Sequence, residues 1–130
     1  MQATPEGSER DPLTAQIITA AIEVHRHLGP GLLEAAYEHC LRRELEARGV
    51  AVKQQLSLPI VYKGEQLDVG FRIDLVVAAV VVVEVKSVER ISSLAEAQVL
   101  TYLRLSGMHT ALILNFNCSR LKDGIRRLVL

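Results

Sequence analysis

The residues whose types and spacing best suit chemistry lie at the end of a valine-rich segment. Glu84 and Lys86 follow the valines at 80–83 and are separated by one residue, so in a strand they project from the same face. An unpaired buried carboxylate or ammonium is costly, and such a pair therefore needs a partner or a function. The two interpretations are a structural ion pair at a strand end and a catalytic pair.

Asp74 lies ten residues before Glu84, on the preceding predicted strand. A two-residue turn at Ala78 and Ala79 would place Asp74 opposite Val83 and direct it away from Glu84, as an ordinary solvent-facing residue. A three-residue connection or a bulge would bring the two carboxylates together on one face. The longer connection is favoured because Ala78 and Ala79 lack the Asn-Gly or Gly chemistry that two-residue turns prefer.

Two converging carboxylates beside a lysine form a suitable site for a hard cation. Mg²⁺ binds carboxylate oxygens, keeps several waters and leaves positions for phosphate oxygens. The cation would polarise a phosphate and lower the pKa of a bound water, while Lys86 would orient that water or offset developing charge. Hydrolysis of a phosphodiester, with Mg²⁺ or Mn²⁺ as the cofactor, is the reaction that fits best.

The elements that must position these residues follow from the hydrophobic periodicity. Apolar residues at spacings of three and four predict a helix that begins at Pro12 and a second from about Pro30 to Arg48, with Leu33 on its inner side. A third helix is predicted at 92–105. Alternating or continuous apolar residues predict strands at 50–60, 67–75, 80–85, 111–116 and 125–130. The strand, helix and strand that end the chain imply a right-handed parallel crossover.

The pattern predicts a single α/β (α+β) domain at 12–130 after a flexible tail at 1–11. We expect a mixed β-sheet flanked by helices, in the order ααββββαβ. The 130 residues carry 15 basic and 15 acidic side chains, so the net charge is zero. Contact with nucleic acid must then use a local patch. No apolar run is long enough to span a membrane and no signal peptide is visible, which predicts a cytoplasmic protein.

Two sets of residues resemble motifs of a known nuclease superfamily. Asp74 followed by Glu84-x-Lys86 resembles the D-x(n)-ExK core of the PD-(D/E)xK, restriction-endonuclease-like nucleases. Gln98 and Tyr102, which share a helix face, are similar to the QxxxY motif of the RecB-type branch. The resemblance covers about 13–129 and includes the order of the elements.

A third motif narrows the resemblance to a family within that superfamily. Gly31, Glu34 and Tyr37 match the pattern that names the GxxExxY family. Glu34 alone would be interpreted as an acid favoured in the first turn of a helix. Because Glu34 and Tyr37 are i, i+3 neighbours, however, Glu34 lies at the edge of the buried stripe, which suits an inward role.

The resemblance implies a metal-dependent nuclease with a restriction-endonuclease-like fold. It implies Asp74 and Glu84 as metal ligands, the carbonyl of Val85 as a third ligand, and Lys86 at the attacking water or the transition state. Glu34 would complete the site through a water or a second metal.

The resemblance also implies that Gln98 and Tyr102 line the site or hold the substrate. The alternative for both is ordinary helix packing, with Tyr102 in the core and Gln98 at its rim. The implied partner is nucleic acid, with DNA favoured over RNA. A homodimer or a protein partner would supply phosphate contacts that a neutral chain with few aromatic residues lacks.

A second function class is a regulatory module that binds nucleic acid or protein on the same fold without turnover. The zero net charge favours this alternative, whereas the retention of the whole set of polar residues favours the enzyme.

Overall fold

The computed structural model describes residues 2–4 and 11–130. Its helices are α1 (Pro12–Leu28), α2 (Glu34–Ala47) and α3 (Ser93–Ser106). Its strands are β1 (Gln2–Thr4), β2 (Val52–Tyr62), β3 (Glu65–Val77), β4 (Val81–Lys86), β5 (Thr110–Asn115) and β6 (Ile125–Val129), the last preceded by a 3-10 helix (Leu121–Gly124). Of the predicted tail, residues 1 and 5–10 lie outside the described part, and Gln2–Thr4 pairs with β6.

The described strands form one six-stranded sheet in the order β1-β6-β5-β4-β3-β2. β4 pairs with β5 in parallel, and the other neighbouring pairs of described strands are antiparallel. α3 connects β4 to β5, which confirms the predicted parallel crossover. The mixed α+β class is therefore confirmed, with a mixed sheet between helices.

The order of the described elements differs from the predicted ααββββαβ in the placement of the strands, the first of which, β1, precedes α1. Three described strands, not four, lie between α2 and α3, and two follow α3. The reason is strand length: β2 and β3 run for 11 and 13 residues and form a single long hairpin, so this segment holds no fourth strand.

The two faces of the sheet are covered by different helices. α1 and α2 pack one face, where Ile17, Tyr37 and Leu41 meet Val83 and neighbouring residues of the sheet. α3 packs the other face through Val99 and a second buried cluster. Apolar side chains therefore cover both faces of β4, as its valine-rich sequence predicts.

The second helix begins at Glu34, four residues after the predicted start at Pro30. The preceding loop adopts conformations that a helix excludes, since Gly31 has φ +103°. The Tyr37 hydroxyl donates to the Gly29 carbonyl and accepts the Leu32 N–H at 3.1 Å, which fixes the loop against the core. Leu33, predicted on the inner side, is instead 83% exposed because it precedes the first helical turn.

The connection between β3 and β4 contains three residues, which confirms the longer of the two predicted turns. Val77 pairs with Val81, and the Val80 N–H donates to the Val77 carbonyl at 3.0 Å. Ala78 and Ala79 both adopt the left-handed conformation, with φ of 53° and 58°. The resulting register pairs Leu75 with Val83, and one further step along it brings Asp74 beside Glu84.

β3 separates from β4 at Asp74, where the alternation of its side chains is interrupted, and it remains paired with β2. Ile73 packs with α3, whereas Leu75 packs with α1 and α2, although residues two apart on a strand ordinarily share a face. The neighbouring strand has a matching irregularity at Gln55, whose φ is +54°. Pairing between β3 and β4 ends at Leu75–Val83, so a gap opens beside the last residues of β4.

Candidate active site

Asp74 and Glu84 lie together at the point where β3 separates from β4. The backbone N–H of Asp74 donates to Oε2 of Glu84 at 2.9 Å. The N–H of Val85 donates to Oδ2 of Asp74, also at 2.9 Å. These side-chain acceptors replace the strand-to-strand hydrogen bonds that end one residue earlier. The reciprocal bonds bring the two carboxylates together at this strand junction.

Burial and mutual repulsion make this carboxylate pair unfavourable without a cation. Desolvation, followed by the charge of Asp74, raises the pKa of Glu84 to about 7, and the Glu84 residue is only 5% exposed. Burial also raises the pKa of Asp74, although the Val85 N–H partly offsets the effect. A proton or a cation is therefore favoured at the pair.

Lys86 is half-buried and lies near enough to affect both acids. Its positive charge lowers the pKa of Asp74 and of Glu84, against the larger effect of burial. Within residues 11–130 its ammonium forms no ion pair shorter than 4 Å. No direct partner within these residues therefore neutralises the Lys86 ammonium.

Helix α2 contributes Glu38, a residue that the sequence reasoning missed. Glu38 is 7% exposed, and its Oε2 accepts hydrogen bonds from the amides of Gln54 and Gln55, each at 2.7 Å. The Gln55 amide also lies 3.4 Å from Oδ1 of Asp74. The charge of Glu38 raises the pKa of both Asp74 and Glu84.

A sequence signal for Glu38 existed in the helix periodicity. Glu38 precedes Leu41 by three residues, and Leu41 precedes Leu45 by four, so the acid continues the buried stripe of α2. An acid in the middle of such a stripe needs polar partners.

Glu34 lies outside the Asp74–Glu84 pair, just beyond the carboxyl end of β4. Its exposed carboxylate accepts the Ser87 N–H at 3.2 Å, and the Ser87 hydroxyl donates to the Leu32 carbonyl at 2.6 Å. Tyr37, the third residue of the same motif, is fully buried and stacks on Phe116 with ring centroids 4.5 Å apart. Glu34 and Tyr37 thus fix the loop before α2 against the end of β4.

Helix α3 places Gln98 and Tyr102 on the face of the sheet that α1 and α2 do not cover. Tyr102 is half-buried and stacks on Phe71 of the hairpin, with centroids 4.9 Å apart. Burial raises the pKa of Tyr102, and the charges of Glu84 and then Asp74 add to the effect. Gln98 lies one turn earlier and lines a pocket with Lys86.

A family model for the PD-(D/E)XK nuclease superfamily matches residues 11–128. The chain belongs to this superfamily. Membership confirms the restriction-endonuclease-like fold and a nuclease-like function, and PD-(D/E)XK nucleases generally use divalent metals. Comparison with curated proteins and with solved structures finds no match. In the described part of this PD-(D/E)XK domain, no helix combines the length and hydropathy needed to cross a bilayer.

The donor set of this PD-(D/E)XK domain fits a hard divalent cation. Within the described residues, Oε1 of Glu84 accepts no hydrogen bond, and Oδ1 of Asp74 accepts only the long one from Gln55. Because the N–H and carbonyl of one strand residue lie along the same edge, the Val85 carbonyl is expected on the edge where its N–H meets Asp74. Among the described residues, no group of three His, Cys, Asp or Glu side chains is arranged to hold a metal. Mg²⁺, however, commonly uses one or two carboxylates with waters and phosphate oxygens.

Proposed function

We propose that the protein is a divalent-metal-dependent phosphodiesterase that hydrolyses nucleic acid, in the GxxExxY branch of its superfamily. The observation that carries this proposal is the Asp74–Glu84 pair, joined by reciprocal backbone hydrogen bonds, with the ammonium of Lys86 close by and without an ion-pair partner among the described residues. A nuclease needs negative oxygens for a cation and a positive group near the scissile phosphate.

The proposed metal ligands are the free oxygens of Asp74 and Glu84 together with the Val85 carbonyl. Bound Mg²⁺ or Mn²⁺ supplies polarisation of the phosphate and a lowered pKa of bound water. The protein contributes the rigid placement of both carboxylates, because each also takes part in a backbone hydrogen bond.

Lys86 is proposed to act on the phosphate and the attacking water. Its ammonium orients the water and offsets the negative charge that grows on the phosphate oxygens. The water oxygen bonds to phosphorus, the phosphorus–oxygen bond to the leaving nucleoside breaks, and the water proton ends on the leaving oxygen. Gln98 and Tyr102 line the α3 side of the site, where they hold the substrate.

Glu34 and Glu38, two of the acids of α2, receive different proposed roles. Glu38 holds Gln55 against Asp74 and adds negative charge that favours a cation. For Glu34, the predicted participation in metal binding remains a prediction. Its bond to Ser87 places it beyond Lys86 at the end of β4, so the geometry favours Glu38 as the acid that acts on the pair.

The partners of the proposed enzyme follow from its charge. DNA is the preferred polymer, and a second copy or a protein partner would add phosphate contacts, since the chain has no net positive charge. We propose the cytoplasm as the compartment.

Calorimetric titration with Mn²⁺, followed by cleavage assays, tests the proposed function. We expect Glu84→Gln to abolish Mn²⁺ binding, while Glu89→Gln, which changes an exposed acid three residues beyond Lys86, leaves it intact. Lys86→Met should bind Mn²⁺ and cut neither DNA nor RNA. A folded wild type that binds Mn²⁺ no better than Glu84→Gln would contradict the proposal and favour the regulatory-module alternative.

A further inference from the structure

A pocket of about 190 Å³ opens between the end of β4 and the first turns of α3. It is smaller than the roughly 300–1,000 Å³ of pockets that enclose whole drug-sized ligands. A volume of this size accommodates one small ring system. Its apolar lining consists of Val88, Ile91, Leu94 and Ala95.

The rest of the lining is polar and positively charged. Lys86 and Arg90 both line the pocket, and neither forms an ion pair within residues 11–130. Gln98 adds an amide, which can donate and accept hydrogen bonds at once. Apolar walls, a hydrogen-bonding amide and two cations that have no ion-pair partner in the described part of the chain together match a flat heterocycle attached to a phosphate.

One wall of the pocket is fixed by the buried side chain of Asn115, whose Oδ1 also accepts the Asn117 N–H at 3.2 Å. Asn115 is 5% exposed; its Oδ1 accepts the Val88 N–H at 3.0 Å, and its Nδ2 donates to the Val88 carbonyl at 2.9 Å. On the helix side, Ser92 accepts the Ala95 N–H at 3.0 Å. Both walls are therefore fixed by hydrogen bonds, which reduces the entropy lost when a ligand binds.

We propose that this pocket binds one unpaired nucleobase of the substrate, beside the phosphate that the Asp74–Glu84 site is proposed to cleave. This inference rests on the proposed function, which makes the neighbouring Asp74–Glu84 site the place of cleavage. Lys86 belongs to both, so a nucleotide seated here has its phosphate next to the metal ligands. A base inside a duplex is stacked and paired and has to leave the helix before it can enter a pocket. The substrate class is thus single-stranded nucleic acid, including single-stranded ends.

Oligonucleotide binding, measured by fluorescence anisotropy in the presence of EDTA, tests the pocket without any cleavage. The probes are a labelled oligothymidylate, an abasic strand of equal length, the matching oligouridylate and a duplex. We expect wild type to bind oligothymidylate about tenfold more tightly than the abasic strand, the scale expected for burying one ring. The duplex should bind no better than the abasic strand, and oligouridylate should show whether the pocket also accepts RNA.

Two pairs of variants distinguish base binding from phosphate attraction. Ala95→Leu fills the pocket, and Ala97→Leu places the same side chain at an exposed position of the same helix outside it. Ala95→Leu should bind oligothymidylate only as well as the abasic strand, while Ala97→Leu behaves as wild type. Leu94→Ser removes an apolar wall at a 67% exposed position, with Leu105→Ser as its control.

Equal binding of oligothymidylate and abasic strand by wild type would overturn the pocket assignment. Identical losses in Ala95→Leu and Ala97→Leu, or in Leu94→Ser and Leu105→Ser, would overturn it as well. Failure of the proposed nuclease function appears elsewhere, as absent Mn²⁺ binding or absent cleavage, and leaves the preference for oligothymidylate measurable.

Discussion

The amide of Asp74 donates to the carboxylate of Glu84, and the carboxylate of Asp74 accepts the amide of the residue that follows Glu84. Each acid is thus a backbone acceptor and a candidate metal ligand at once. Substitution by alanine removes both roles, whereas substitution by the matching amide removes the charge and keeps an oxygen that can accept the hydrogen bond. The two roles can therefore be measured separately.

The first prediction concerns Asp74. Asp74→Ala leaves the Val85 N–H without a partner, and we expect a loss of about 1–3 kcal/mol in the free energy of unfolding. Asp74→Asn keeps an acceptor and removes charge repulsion, so its stability should equal or exceed that of wild type in metal-free buffer. Both variants should lose Mn²⁺ binding. Urea unfolding and calorimetry measure the two effects, and equal destabilisation by both substitutions would contradict the assigned backbone role.

The second prediction is a pH dependence of stability that Glu84 controls. Because its pKa is raised from 4.5 to about 7, the folded protein holds a proton that the unfolded chain releases between these values. The folded state binds more protons there, so the free energy of unfolding falls as pH rises. Between pH 5 and pH 8, we expect the free energy of unfolding of the wild type to fall by on the order of 2 kcal/mol more than that of Glu84→Gln. Saturating Mn²⁺ should remove this decrease, and matching profiles for the two proteins would exclude Glu84 as its source.

The sequence predicts much of this fold because its strongest patterns are local. Helix α1 begins at Pro12 as expected, and the carboxylate of Asp11 caps it by accepting the Leu13 N–H. The start of α2 is not predictable from apolar spacing, because the hydroxyl of Tyr37 reaches back to the loop and holds it out of the helix. That contact depends on the packing of Tyr37 against the core.

The third prediction distinguishes the roles of Glu34 and Glu38, two of the acids of α2. Glu38→Gln removes a charge that raises the pKa of both site acids, so the pH midpoint of the stability profile should move downward. Mn²⁺ affinity should fall several-fold with the loss of attraction. Glu34→Gln still offers an oxygen to the Ser87 N–H and should change neither quantity. Weaker Mn²⁺ binding in Glu34→Gln instead would assign metal participation to Glu34.

The fourth prediction concerns the turn that sets the register of Asp74 and Glu84. Ala79 has φ +58°, a conformation that costs a residue with a Cβ roughly 1 kcal/mol relative to glycine. Ala79→Gly should therefore stabilise the protein by up to about 1 kcal/mol. Ala97→Gly, inside α3, should destabilise it by a similar amount. Urea unfolding with unchanged slopes checks both variants, and a loss of stability in Ala79→Gly would refute this account of the turn.

The candidate site was predictable in part. The spacing of Asp74 and Glu84, together with the unfavourable composition of a shorter turn, was enough to predict that the two acids meet. Glu38 was overlooked because Glu34 belongs to a recognisable motif and Glu38 does not. The role of Gln55 could not be predicted at all, since it depends on a positive φ at a residue that has no special backbone preference.

The carboxylates of Asp74 and Glu84 accept backbone hydrogen bonds at the point where β3 separates from β4. This structural role affects how related sequences are interpreted. Under the proposed function, a descendant of this chain that had lost catalysis would remain under selection to keep hydrogen-bond acceptors at positions 74 and 84, because the strand junction depends on both. The ammonium of Lys86 forms no ion pair in the described part of the chain, so the strand junction does not require this side chain. Among relatives that retain both acids, loss of the lysine would therefore mark the lineages in which turnover has been abandoned.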